Sequence, residues 1–249
     1  ASAQSTPQIP ALVSIVEKRW AELSSDTEAR ECLLALAQRL RKNHGWRVSR
    51  FSGGADGALA VKIEQLLNPD ETFPIDPGEA WTDAAIADLR AMPPDIRRIW
   101  IALLHHCLAA KTAEPSSRWA ATASTLVEGV GRDQVRERLL VWLPLLDGPR
   151  TDTNQYGPNG QAHWNSIIWP HHASVLRGLC WLLCDQEDAE LARAFRAVAT
   201  ACYRKGPGGH RAVKVGPAAV YALRQMPGRT SLAHLAVLRT KSSSAPRKR

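Results

Sequence analysis

Apolar side chains return every three or four residues along most of this 249-residue chain, and proline and glycine break the pattern at intervals. That spacing lines up one face of a helix, whereas a half-buried strand needs an alternation of two. Leu12, Val16, Trp20 and Leu23 make a first stripe, and Leu33, Leu36, Ala37 and Leu40 a second. Ser25, Asp26 and Glu28 read as a capping box that opens the second helix, and Asn43-His44-Gly45 as its close. The spacing predicts a short helix over 59–67 and a loop with three prolines over 68–78. The clearest stripe follows Pro93-Pro94: Ile96, Ile99, Trp100, Leu103, Leu104, Cys107 and Leu108 mark a helix over 94–110. Further helices are predicted over 116–130, ended by Gly129 and Gly131, and over 133–146, where Pro144 should kink or end the helix. Val135, Leu139, Trp142, Leu143 and Leu146 face inward there. Pro170 opens a helix to Cys184 with Val175, Leu176, Leu179, Cys180 and Leu183 inward. Another spans 187–204 with Leu191, Phe195, Val198 and Cys202 inward, and two more span 216–226 and 230–239.

About ten helices with mostly short connections, and no segment patterned as a strand, define an all-α protein. Short connections make neighbouring helices antiparallel. The expected architecture is a row of antiparallel helix hairpins stacked as a HEAT-like α-solenoid; the alternative is a closed helical bundle. Residues 1–10 read as a flexible N-terminus and 11–240 as one helical-repeat domain with a soft boundary in the long 147–166 loop. Residues 241–249 read as a basic flexible end and a truncation point.

Charge is unevenly placed. Residues 1–190 hold 19 basic and 24 acidic side chains, whereas 191–249 hold 13 basic and none acidic. A basic stretch of this kind attracts nucleic acid or an acidic protein surface. No apolar run approaches the roughly 18 residues of a membrane helix, so no membrane role is expected. The polar first ten residues lack the charge-then-apolar order of a signal peptide, and the chain does not begin with Met. The five cysteines are odd in number and mostly lie in apolar stripes, as buried reduced thiols of a cytoplasmic protein would.

Candidate chemistry is sparse. His105-His106 and His171-His172 are adjacent, so on a helix the two rings of each pair point about 100° apart and chelate one ion poorly. Cys180 and Cys184 share a helix face, with Cys202 and His210 conceivable partners for zinc, but Cys180 falls in the apolar stripe. Lys205-Gly206-Pro207-Gly208-Gly209-His210-Arg211 is glycine-rich and basic, yet it lacks the spacing of a phosphate-binding Walker loop and reads as a turn between helices. No nucleophile sits beside a recognisable base. No catalytic, cofactor or metal residues are therefore assigned. Of the nine tryptophans, Trp100, Trp142 and Trp181 read as core, while Trp164 and Trp169 flank the long loop with His163 and Asn165. Aromatics beside a polar loop can stack on bases or anchor a peptide; otherwise they plug the end of a helix hairpin. These four residues, together with Arg204, Lys205, His210, Arg211 and Lys214, form the candidate binding surface.

The C-terminal third carries a resemblance. Leu176-Arg177-Gly178-Leu179-Cys180-Trp181 is one part and Cys202-Tyr203-Arg204-Lys205 another, followed by Gly209, Arg211 and Lys214. Gly216-Pro217-Ala218-Ala219-Val220-Tyr221-Ala222-Leu223 comes next, with 235–239 behind it. Over 164–239 the chain resembles the large bacterial domain of unknown function found in MolR-like proteins, often accompanied by a WGR domain. The resemblance implies a helical, HEAT-like fold and a link to regulation and, through WGR partners, to nucleic acid. It also implies that the chain is an N-terminal fragment of a longer protein, and it brings no catalytic residues. Pro217 stands where the family pattern has Asn; at the first turn of a helix, proline is a reasonable replacement for a capping residue.

Three functions are expected in turn. The first is a binding or regulatory scaffold that takes a protein partner or a downstream domain of the same protein. The second is a nucleic-acid-binding helical repeat like the DNA glycosylases. There Arg204, Lys205, Arg211 and Lys214 would meet phosphates, and Asp152 would be the nearby acid. The third is a non-catalytic part of a larger enzyme.

Overall fold

The computed structural model describes residues 8–43, 62–68, 72–151, 167–206 and 209–243. Among them the chain is mostly helical, with strands of only two residues each. No described helix is long and apolar enough to cross a membrane. The chain divides into two compact units, Ala1–Asp76 and Pro77–Arg249. The stretches on either side of the 147–166 loop lie in the same unit.

In the first unit, α1 (Gln8–Lys18) and α2 (Trp20–Leu23) divide the expected first helix at Arg19, whose backbone leaves the helical region at φ −106° and ψ 13°. Arg19 ties across the break to Glu22 at 2.6 Å. α3 (Thr27–Asn43) opens on Asp26, whose Oδ1 accepts the backbone N–H groups of Glu28 and Ala29 at 3.0 and 3.2 Å. Of the expected Ser25, Asp26 and Glu28 box, Asp26 is the residue that caps, and it serves the first free amides. His44, Gly45 and residues 59–61 lie outside the described residues; the helical residues 62–67 form α4. Val16, Leu33, Ala37, Leu40, Ile63 and Leu67 make the core of this unit, with Trp20, Leu23, Leu36 and Leu66 packed against it.

The second unit begins with α5 (Ala80–Ala91), which the sequence reading leaves unassigned. Its buried Trp81, Ala85, Ile86 and Leu89 follow helical spacing. α6 (Pro94–Leu108) carries the long stripe inward, and α7 (Ser117–Val130) is capped by Ser116 Oγ, which accepts from the Trp119 amide at 3.2 Å. α8 (Arg132–Trp142) follows at once. Gly131, at φ 97°, is both the end of α7 and the start of α8, a backbone angle that favours glycine. Leu143–Asp147 then tightens into a 3-10 turn containing Pro144, as the proline dictates.

Next among the described helices come α9 (Pro170–Trp181) and α10 (Ala189–Tyr203). α9 stops three residues before Cys184, whose thiol donates to the Trp181 carbonyl at 3.2 Å in the closing turn. Asp188 Oδ1 caps α10 through the amides of Glu190 and Leu191. The glycine-rich break forms a small hairpin where only a turn was expected: β1 (Lys205–Gly206) pairs antiparallel with β2 (Gly209–His210). α11 (Gly216–Gln225) and α12 (Arg229–Ser243) complete the unit.

Helices adjacent in sequence pack together, α6 on α7, α10 on α11 and α11 on α12. α9 packs on α6 and α11, so the later helices fold back on the earlier ones. Trp81, Trp100, Trp142 and Phe195 are the largest wholly buried side chains. Trp100 meets Trp142 at 5.1 Å between ring centres. Trp142 Nε1 donates to Asp88 at 2.8 Å, which satisfies its polar edge.

Close packing of α9 on α6 rests on Gly178. A Cβ there would lie 2.5 Å from both Cα and Cβ of Cys107. Backbone cannot move aside cheaply, so Gly178→Ala should destabilise the protein by about 1–3 kcal/mol. Thermal unfolding should show a melting point lower by several degrees; an unchanged value would refute the close approach.

Candidate functional site

The most connected polar group in the second unit is the carboxylate of Glu79, at the start of α5. It is 4% exposed, yet both oxygens are served. Oε2 accepts from Trp81 Nε1 at 2.7 Å and lies 3.1 Å from His172 Nδ1. Oε1 accepts from Arg150 Nη1 and from the backbone amide of Trp169, each at 3.1 Å. Three distant stretches of chain converge here: the entry to α5, residues 150–151, and the start of α9.

Local geometry brings them together. Glu79 and Arg150 form an isolated antiparallel bridge, and the Thr151 amide donates to the Gly78 carbonyl at 3.1 Å. Gly78 adopts φ 118°, and its own amide donates to Asp83 Oδ1 at 2.9 Å, while Thr151 Oγ1 donates to Asp83 Oδ2. The rings then close over the carboxylate. The Arg150 guanidinium sits 4.4 Å above Trp169, within cation–π range. The His172 ring lies near-parallel to Trp169 and edge-on to Trp81.

Burial by itself would raise the pKa of Glu79. The neighbouring His172, the Trp169 amide and Arg150 outweigh it and hold the carboxyl at about 2, below its ordinary 4.5. A general base works best with a pKa near the working pH. Glu79 is instead an anion held by surrounding donors, an arrangement that fixes the chain. The thiols are held the other way. Burial pushes Cys107 and Cys180 well up and Cys202 to about 12, and burial with Asp185 pushes Cys184 to about 11. Cys180 lies wholly within the core, as a small apolar residue would.

The expected binding surface is only partly assembled. His163, Trp164, Asn165 and Asp152 lie outside the described residues. Trp169 is buried beneath Arg150. Arg204 forks onto Asp147 at 2.6 and 2.9 Å. Arg211 donates to the carbonyls of Leu146 and Gly148, and its own carbonyl accepts from Ile168. His210 Nδ1 lies 2.9 Å from the Tyr203 carbonyl. Lys205 and Lys214 are exposed. Arg204, His210 and Arg211 thus fasten the hairpin to the 3-10 turn and to the foot of α10.

The sequence reading missed Glu79, Arg150 and Trp81 as a group, because 71 and 90 residues separate Glu79 from Arg150 and Trp169. The visible signal was the Trp169-Pro170-His171-His172 run, in which Trp169, His171 and His172 are buried at a helix start.

Two other features of the second unit stand out. A groove of about 280 Å³ runs between α7, the end of α9 and α11, with Trp119, Trp181 and Tyr221 among its lining residues. At its edge Arg132 pairs with Asp185 at 2.8 Å, and Arg224, which lies over the Tyr221 ring, pairs with Glu114 at 2.8 Å. The groove is small for an organic ligand, for which about 300–1,000 Å³ is usual. The second feature is α12. Ser231 alone is buried among its described side chains, with His234, Leu235 and Leu238 half-buried. Leu232, Ala233, Ala236 and Val237 face outward and are exposed, Leu232 by 64%.

No family model, no curated protein and no solved structure matches the chain.

Replacing Glu79 by Gln leaves Arg150 as a buried charge facing a neutral amide. The expected loss is about 3–5 kcal/mol at neutral pH by chemical denaturation. The folded pKa lies below the unfolded one, so the carboxylate stabilises above about pH 4.5, and that gain fades as pH falls from 4.5 towards 2. The gap between wild type and Glu79→Gln should shrink over that window. A gap independent of pH would show that Glu79 is not the anion described.

Proposed function

We propose that the chain is a non-catalytic binding and regulatory scaffold for a protein partner. In this reading its second unit stacks antiparallel helix hairpins in the HEAT manner. Short connections support it: α7 and α8 share Gly131, and sequence neighbours pack on one another. The observation that carries the functional reading is α12. A repeat that merely closes a stack carries a polar outer face, whereas the outer face of α12 is Leu232, Ala233, Ala236 and Val237. Exposed apolar surface of this kind marks an interaction site.

The likeness of 164–239 to the MolR-like domain belongs to the same proposal. Its Gly216–Leu223 run lies within α11, and Pro217 falls in the first turn, where proline can stand in for a cap.

A second reading, nucleic-acid binding, is favoured by the carboxylate-free 191–249 stretch. Arg204 and Arg211 are engaged within the unit, which leaves fewer cations for phosphates.

Capture from a lysate of the source cells tests the scaffold reading. Wild type should retain proteins that Leu232→Glu loses, while the variant melts within about 0.5 kcal/mol of wild type because the site is exposed. Equal capture by both, or none, would sink the reading. Fluorescence anisotropy with duplex DNA tests the second: affinity falling by orders of magnitude between about 50 and 200 mM salt would establish phosphate contacts. A flat response would remove it.

A further inference from the structure

The face of α12 is flanked by charge of one sign. At about 100° per residue, Leu232, Ala233, Ala236 and Val237 form a single stripe. Arg229 begins the helix in line with it and is exposed. His234 lies on one flank, beside Arg193 and Arg196 of α10, which packs against α12. Burial and these two arginines lower the pKa of His234. Arg193 is exposed. Arg196 Nε has no hydrogen-bond partner among the described residues. Glu187 sits at the opening of the helix, where a Cβ on Gly228 would run into its carboxylate, and from 191 onward the chain holds no acid.

We infer that the outward face of α12 docks an amphipathic helix of a partner protein, leucine-rich along its centre and flanked by aspartate and glutamate. The inference rests on the scaffold reading and adds the partner's chemistry to it. An apolar stripe calls for an apolar counterpart, in the manner of a helix laid along a groove. The cations within the face and on its α10 side call for carboxylates, which fix register and exclude basic partners. A second copy of this chain is a poor occupant, because a two-fold pairing of this face would bring its arginines against those of the other copy. Nucleic acid would satisfy the arginines and leave Leu232 and Val237 against a phosphate backbone.

Three fluorescent probes test this on the full chain: a synthetic helix of about 18 residues with leucines at helical spacing flanked by Glu, the same peptide with Lys for Glu, and a DNA duplex. The Glu-flanked peptide should bind at least about tenfold tighter than the Lys-flanked one. Leu232→Glu should abolish that binding. Arg193→Glu with Arg229→Glu should weaken it about tenfold, and about 0.5 M salt should narrow the difference between the peptides. Equal binding of both peptides, binding of neither, or preference for the duplex overturns the inference. So does a dimer in sedimentation that Leu232→Glu disperses. If lysate capture depends on Leu232 while the peptides are not discriminated, the scaffold reading stands and the acidic-helix inference falls.

Discussion

One buried carboxylate organises the second unit. Glu79 receives donors from α5, from the strand-like residue Arg150 and from the first turn of α9, so a single anion sets where three parts of the chain meet. A carboxylate removed from water is unfavourable unless its lone pairs are filled. The sequence supplies donors from Trp81, Arg150 and Trp169, with the His172 ring 3.1 Å away. Around them Trp81, Trp169 and His172 exclude water, which strengthens each bond and raises the penalty for leaving one unmade.

Cations elsewhere divide by what they touch. Arg136 binds Asp188 and Glu190 at the start of α10, Arg204 binds Asp147, and Arg177 donates to the Thr112 carbonyl between α6 and α7. The charges of Arg136 and Arg204 are answered inside the unit, whereas Arg177 meets a neutral carbonyl. Arg193, Arg196 and Arg229 have no such pairing among the described residues. The formal excess of positive charge in the last 59 residues therefore overstates what the surface offers.

The helices with strong punctuation were legible in the sequence. Pro94, Ser116, Gly131, Pro144 and Pro170 each act at a helix boundary through a local preference that needs no distant partner. The stripes of α8, α9 and α10 were legible for the same reason, and their residues are buried as the spacing predicts. α5 escaped because its stripe is diluted by alanines and its start is set by Glu79, whose partners are remote. The break at Arg19 escaped because the apolar spacing runs across it unchanged. The hairpin at 205–210 escaped because a two-residue ladder leaves no periodicity to read. The Glu79 centre lay beyond reach because contacts between loops carry no sequence period at all.

His106 and Trp119 exchange contacts in both directions. Trp119 Nε1 donates to the His106 carbonyl at 3.0 Å, His106 Nε2 lies 2.8 Å from the Trp119 carbonyl, and the two rings stack. Only 13 residues separate them, against 71 and 90 for the links from Glu79 to Arg150 and Trp169. Closing the shorter loop costs about 1.5 kcal/mol less chain entropy. The α6–α7 contact is therefore the cheaper of the two to close, whereas the Glu79 centre requires segments far apart in sequence to be in place together.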